Sequence, residues 1–260
     1  MEIEEQSSDT TEKTQICLVE SKSKLLVLWK WIRSHPVAVV FIIIGIWLCL
    51  EIILLPFGDI RDLRKSNPKE TAFMREHAER AKKEGKVFQK KQIWVPLNVI
   101  SQDLREAVIV AEDGTFWSHE GFDWYEFKES LERDFEEGKA VRGASTISQQ
   151  LVKNLYLSSS KNPIRKLKEW ILTWYMERAL NKHRILELYL NVIEWGNGIY
   201  GAEAASRYYF GKPASELTKE EAARLAAVIP NPRRYKANSD SRYVLRRSTL
   251  ILNRMRARGY

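Results

Sequence analysis

Apolar positions in this chain form one long unbroken run, followed by short periodic stripes. The run is Val37 to Leu55, VAVVFIIIGIWLCLEIILL, nineteen residues in which Glu51 is the only charge. About 20 apolar residues cross a bilayer. The stretch is apolar on all sides, and no small-x-small cleavage site follows at Pro56–Phe57–Gly58. It reads as an uncleaved single transmembrane helix with Trp29, Trp31 and Trp47 near the interfaces. Ahead of it, residues 1–21 are polar, acidic and rich in Ser, Thr and Glu, and read as a disordered tail. The expected division is a tail over 1–21, an anchor and flank over 22–58, and one domain over 59–260.

Beyond the span, the spacing becomes that of amphipathic helices. Thr71 to Glu84 predicts a helix closed by Gly85, and Val87 to Pro96 is the one extended candidate. Asn98 or Ser101 starts a helix to about Glu112, and Asp123 to Glu137 forms another, stopped by Gly138. In Ser145 to Leu155, Ile147, Leu151 and Leu155 form an apolar stripe; Thr146, Gln149, Gln150 and Lys153 form a polar one. Asn162–Pro163 is a cap followed by a proline suited to a first helical position, for a helix to about Leu180. Ile185 to Ile193 is apolar on most sides and reads as the central core helix. Gly201 to Phe210 follows the glycine-rich turn Gly196–Asn197–Gly198. Thr218-Lys-Glu-Glu221 is a capping box opening a helix to Val228, and Asp240 to Arg258 is a basic final helix. With no internal repeat, the expected class is mainly α.

Charge narrows the partners. The chain carries +8, yet the part up to Phe57 has five Lys/Arg against seven Asp/Glu, so the excess positive charge lies in the domain. A basic domain on a membrane anchor suits an anionic partner: lipid head groups, a phosphorylated lipid or nucleic acid. Basic residues flank the span equally, with Lys22, Lys24, Lys30 and Arg33 before it and Arg61, Arg64, Lys65 and Lys69 after it. The positive-inside rule therefore leaves orientation open. The two cysteines, Cys17 and Cys49, lie before and inside the span, so the domain can enter an oxidising compartment without disulfide chemistry.

Three segments carry chemistry. Glu112 ends the run Ala107–Ala111, with Val108 and Ile109 one turn before it. An apolar wall desolvates a carboxylate and raises its pKa toward that of a useful general base. Arg142 to Asn154, RGASTISQQLVKN, places Gly143, Ser145 and Thr146 at a helix N-terminus, where free N–H groups attract phosphate. Gln149 and Gln150 offer amides to sugar hydroxyls or acetamido groups, and Lys153 adds a point charge. Glu169 follows Arg165 and Lys166 at i−4 and i−3, the weaker helical orientation, so stability alone is a poor reason for it. Lys161, Arg165, Lys166 and Lys168 could together neutralise a pyrophosphate. His119 reads as a structural hydrogen-bonding residue and His183 as exposed. Neither has a partner at metal-ligand spacing. The arginines of the last helix, Arg242, Arg246, Arg247, Arg254, Arg256 and Arg258, read as a solvated face near an anionic membrane.

At these residues the chain resembles the peptidoglycan glycosyltransferases of glycosyltransferase family 51. AEDGTFWSHEG (Ala111–Gly121) resembles the first family motif, RGASTISQQLVKN the second and RKLKE the third. KHRILELYLN with GIYGAEAASRYYFGK resembles the fourth, and AAVIPNPRRY the fifth. The resemblance covers about residues 90–240 in the right order, and with the chain ending at Tyr260 the monofunctional type is expected. It implies a lysozyme-like fold with a small membrane-facing subdomain near Phe122–Arg142. It also implies lipid II as substrate, a growing glycan strand as product, and a single-pass protein of the bacterial inner membrane with its catalytic domain outside the cytoplasm. The catalytic base maps to Glu112 and the second essential carboxylate to Glu169. Pyrophosphate- and sugar-binding positions map to Ser145, Gln150, Lys153, Lys161 and Arg165. Thr146, Gln149, Asn154 and Lys166 complete the expected binding set. Position 161 is often Arg in relatives, and Lys keeps the charge without the fork. No cofactor is required, although a divalent cation, Mg or Mn, is compatible with the phosphates. Partners expected beyond substrate and membrane lipid are other cell-wall synthases and division proteins, not nucleic acid. The rival readings are a lytic transglycosylase or muramidase acting on finished glycan, and a non-catalytic membrane-anchored scaffold.

Overall fold

The structure, a computed structural model, describes residues 29–137, 145–160 and 162–260. They belong to two compact units, one ending at Leu55 and one running from Pro56 to Tyr260. The disordered-tail assignment, Cys17, Lys22, Lys24, Gly138, Arg142, Gly143 and Lys161 lie outside the described residues.

In the first unit, α1 (Pro36–Ile53) starts with proline at its first position, where no N–H is needed. It is long and apolar enough to cross a membrane. Phe41, Ile43 and Ile53 stand exposed along it, the pattern of a helix whose solvent is lipid.

The second unit is built mainly of helices whose starts are fixed by side-chain caps. Its elements are α2 (Phe57–Asp62), α3 (Ala72–Lys83), β1 (Lys91–Gln92), α4 (Gln102–Glu112), α5 (Trp124–Glu137), α6 (Ile147–Tyr156), α7 (Pro163–Ala179), α8 (Lys182–Val192), β2 (Glu194–Gly196), β3 (Ile199–Tyr200), α9 (Ala202–Phe210), α10 (Lys219–Val228) and α11 (Arg242–Ala257). Thr71, Ser101, Asn162, Asn181 and Ser241 each accept a hydrogen bond from an N–H of the turn they open. Thr146 and Thr218 form full capping boxes with Gln149 and Glu221. Each such cap contributes about 1 kcal/mol. Ser101, not Asn98, starts α4, because Leu97–Val99 is a short 3-10 turn.

Two helix clusters make the core. Helix α10 packs on both α4 and α11, and its alanines, Ala222, Ala223, Ala226 and Ala227, are fully buried, which lets the backbones approach closely. Helix α6 packs on α7 and α8. The sequence pointed to α8 as the central helix. In the structure α6 shares that place: Ser148 and Gln149 on its polar side are buried as well as Ile147, Leu151, Val152 and Leu155.

The extended stretch Val87–Pro96 contracts to two paired residues. Strand β1 pairs in parallel with β3, itself two residues long, and β3 pairs antiparallel with β2 across a bulge. The rest of the stretch is held by Asn191, whose amide bridges Val95 N–H and Val95 C=O at 3.0 and 2.9 Å. The hairpin β2–β3 occupies what the sequence suggested was a glycine-rich turn. Gly201, which follows it, has φ +83°, and a Cβ there would sit 2.8 Å from the Asn191 carbonyl oxygen. The segment after the span is docked firmly. Arg184 donates to Leu63 and Ser66 carbonyls at 2.8 Å, and Arg61 bonds Tyr175 Oη on α7.

Candidate active site

Helix α4 ends at Glu112, and the next residue, Asp113, ties that end to the start of α6. Asp113 is buried and accepts from the Ile147 N–H at 2.9 Å and from His119 Nε2 at 2.9 Å. His119 Nδ1 in turn accepts from the Gly121 N–H at 3.0 Å, so the proton of a neutral ring sits on Nε2, toward Asp113. Gly121 has φ +91°, its carbonyl accepts from Thr146 Oγ1 at 2.8 Å, and a Cβ there would meet Thr173 and Glu177 at 2.9 Å. The segment AEDGTFWSHEG is thus a clasp: it fixes the direction of Glu112 relative to α6. Asp113→Ala removes a buried acceptor from one backbone N–H and one imidazole. We expect a loss of about 2–3 kcal/mol in unfolding free energy, measurable by urea titration of the purified protein.

This clasp changes the reading of the α6 N-terminus. The sequence suggested N–H groups open to phosphate. Instead, the Ile147 N–H is taken by Asp113, and the Gln149 N–H by Thr146 Oγ1 at 3.2 Å. Gln149 Oε1 accepts from the Thr146 N–H at 3.1 Å, and both side chains are buried. Thr146 and Gln149 therefore spend their polar groups on the helix start.

Glu112 faces a cleft of about 1240 Å³. Its Oε2 accepts from Gln150 Nε2 at 3.0 Å and its Oε1 from Arg247 Nη2 at 3.1 Å. Tyr189, fully buried, donates to Gln150 Oε1 at 2.8 Å, which sets the amide so that its NH₂ points at the carboxylate. Burial raises the Glu112 pKa above the usual glutamate range. The Gln150 and Arg247 hydrogen bonds and the Lys153 charge pull the other way and lose. Lys153 also lines the cleft. Burial lowers its pKa, Arg165 and Lys166 lower it further, and Glu169 and Glu112 oppose them.

Glu169 on α7 is buried and held by Arg165 Nη1 at 2.5 Å and by Lys166 Nζ. The pair partners are half exposed, the carboxylate is not. Ser145, Thr146, Gln150, Lys153 and Asn154 line the cleft with Glu112. Gln149 is not part of that lining, nor are Glu169, Arg165 and Lys166, which are coupled to it through the charge of Lys153. Among the described residues no group of three or more His, Cys, Asp or Glu side chains could hold a metal ion.

Arg247 is the functional position that sequence reasoning placed on a solvated helix face. A signal was present. Val244, Ser248, Ile251 and Met255 form the buried stripe of α11, and Tyr243, Arg247, Arg254 and Arg258 form the stripe beside it. That second stripe lines the cleft. The Nε of Arg247 is buried without a partner among the described residues.

Comparison with known proteins gives the following. The transglycosylase family matches residues 79–256 of the chain. A biosynthetic peptidoglycan transglycosylase of Methylobacillus flagellatus is 49% identical over 190 residues, 73% of this chain and 83% of the relative. One from Chromobacterium violaceum is 48% identical over 198 residues, 76% and 87% of the two chains. One from Laribacter hongkongensis is 41% identical over 228 residues, 87% and 96%.

Proposed function

This chain belongs to the transglycosylase family and is a peptidoglycan glycosyltransferase, and from that premise we propose that it polymerises lipid II into β-1,4-linked glycan with release of undecaprenyl pyrophosphate. The helical domain is the family's lysozyme-like fold. The observation that carries the mechanism is the setting of Glu112: a desolvated carboxylate, aimed by two donors, beside a half-buried lysine.

The acceptor is the 4-hydroxyl of a GlcNAc, a weak nucleophile. As its oxygen attacks C1 of the donor MurNAc, Glu112 takes its proton. The C1–O bond to phosphate breaks, and the electron pair leaves with the pyrophosphate. Attack opposite the leaving group turns an α-linked donor into a β-linked product. A pyrophosphate needs cations more than it needs a proton. Lys153 supplies one at the cleft wall, with Arg165 and Lys166 behind it. Lys161 belongs to the same basic set. Glu169 holds Arg165 and Lys166 in place and favours the charged form of Lys153. Ser145, Gln150 and Asn154 present polar groups to sugar. Hydrolysis of a glycosidic bond calls for an acid with a second carboxylate flanking the bond, whereas the second carboxylate here is wrapped in cations. The reaction needs no cofactor. A divalent cation, Mg or Mn, would travel with the phosphates. Helix α1 associates the chain with a membrane. We place that membrane as the bacterial inner membrane, crossed once with the N-terminus inside and the domain outside the cytoplasm, where other cell-wall synthases and division proteins can meet it.

Purified full-length protein in detergent, incubated with labelled lipid II, is expected to yield glycan strands. Soluble muropeptides from intact sacculi, with lipid II left unused, would overturn the proposal. The rate should fall at low pH, because the base must be ionised. With its pKa raised by burial, the midpoint of that acid limb is expected above the usual glutamate range. A midpoint at or below that range argues against Glu112 as the base.

A further inference from the structure

The reaction above joins two lipid-linked saccharides, and each carries a pyrophosphate. One leaves with the donor lipid, and the other stays on the acceptor and must be held while the 4-hydroxyl reacts. The Lys153 side of the cleft accounts for one. We propose that Arg254 in the last turn of α11 and Arg258, the C-cap residue of that helix, bind the second, the diphosphate of the acceptor lipid; this rests on the reading in the preceding subsection.

Three observations place it there. The first is charge left over. At the end of the cleft lined by Phe73, His77 and Glu194, the arginines are spent: Arg80 pairs with Glu76 at 2.9 Å and Arg233 with Glu194 at 3.0 Å. Elsewhere in the lining, Arg254 has no hydrogen-bond or ion-pair partner among the described residues, and Arg258 donates a hydrogen bond only to the Gly114 carbonyl, at 2.8 Å. The carboxylates nearby are already engaged: Glu106, whose charge reaches Arg258, is hydrogen-bonded by Tyr260. Asp123 accepts from Thr115 and from the Glu126 N–H, and Glu126 has partners of its own.

The second is spacing. Arg254 and the C-cap residue Arg258 are four residues apart at the end of α11, and both line the cleft, a pair that can fork onto adjacent phosphates. Arg254 lies seven residues beyond Arg247, roughly 10 Å along the axis, and Arg247 bonds Glu112. That offset is on the scale of the disaccharide that separates the reacting hydroxyl from its diphosphate. The third is the neighbourhood. Asp123, Glu126 and Ser130 also line the cleft, Asp123 bonded to Thr115 next to the Gly114 that Arg258 holds, and the same stretch exposes Trp124 and Tyr125 at 66% and 71%. Exposed aromatic rings on the same stretch as cleft-lining residues suit a molecule whose diphosphate continues into a lipid chain.

The test separates donor from acceptor. Lipid II blocked at its GlcNAc 4-hydroxyl can only donate; unblocked lipid II is the acceptor, and the first coupling product is measured while each is varied. For the full-length Arg254→Ala/Arg258→Ala variant we expect the acceptor KM to rise about tenfold, with the donor KM within twofold of wild type. Arg254→Lys should fall between, since it keeps charge and loses the fork. Arg256→Ala, on the same helix but off the cleft lining, should match wild type. An unchanged acceptor KM overturns the assignment, as does a rise in the donor KM alone or in both together. If loss of the Arg258–Gly114 bond unfolds the double variant, Arg254→Ala alone must still raise the acceptor KM at least threefold, or the assignment falls. A wild-type chain that leaves lipid II uncoupled sinks the polymerase reading itself, and is told apart by needing no variant.

Discussion

Glu112→Gln is expected to lower kcat for lipid II polymerisation about a thousandfold, the scale of a lost general base, while lipid II binding stays within about threefold. The substitution keeps the shape of the side chain and both of its neighbours. Glutamine can still offer its carbonyl oxygen to Arg247 or to Gln150, so the clasp around Asp113, His119 and Ile147 has no cause to move. What is lost is the ability to take a proton from a sugar hydroxyl. The pyrophosphate cations remain, and they carry much of the ground-state affinity. Binding is read by equilibrium titration with labelled lipid II, and turnover by gel analysis of product strands. Near wild-type turnover would remove Glu112 from the role of base. A parallel loss of binding would instead make it a binding residue.

The sequence and the structure agree best where a local signal decides the outcome. Capping residues such as Thr71, Ser101, Thr218 and Asn162 set helix starts through bonds within one turn, so they can be recognised without knowing the fold. The apolar wall before Glu112 is local in the same way. Val108 and Ile109 lie one turn back and are buried. What stayed hidden depends on partners distant in sequence. The β2–β3 hairpin exists because Lys91–Gln92 returns to pair with it. Gln149 looked like a sugar ligand because its polar stripe faces outward on an isolated helix; in the fold, α6 is buried on that side too. Arg247 looked like surface because its partner, Glu112, lies 135 residues earlier. Periodicity could show that 243, 247, 254 and 258 share a face, but not that the face closes a cleft.

The second large effect is expected at Lys153. Lys153→Ala should lower kcat by about 10²- to 10³-fold, the usual consequence of removing one preorganised charge from a developing anion. Among the described residues, Lys153 is the one cation on the α6 side of the cleft lining, while Arg165 and Lys166 are already committed to Glu169. Burial favours the neutral amine, and the Glu169 and Glu112 charges favour the ammonium. The substitution has a further, directional signature. The Lys153 charge lowers the pKa of Glu112. Without it, only the Gln150 and Arg247 interactions oppose burial, so the base becomes harder to ionise. The acid limb of the pH–rate profile should therefore shift to higher pH in Lys153→Ala, and the residual activity should recover in part as pH is raised. A structural defect at α6 would depress the whole profile without moving its limb. A limb that stays in place would show that Lys153 and Glu112 do not share an electrostatic environment, and the base-plus-cation arrangement would lose its physical basis.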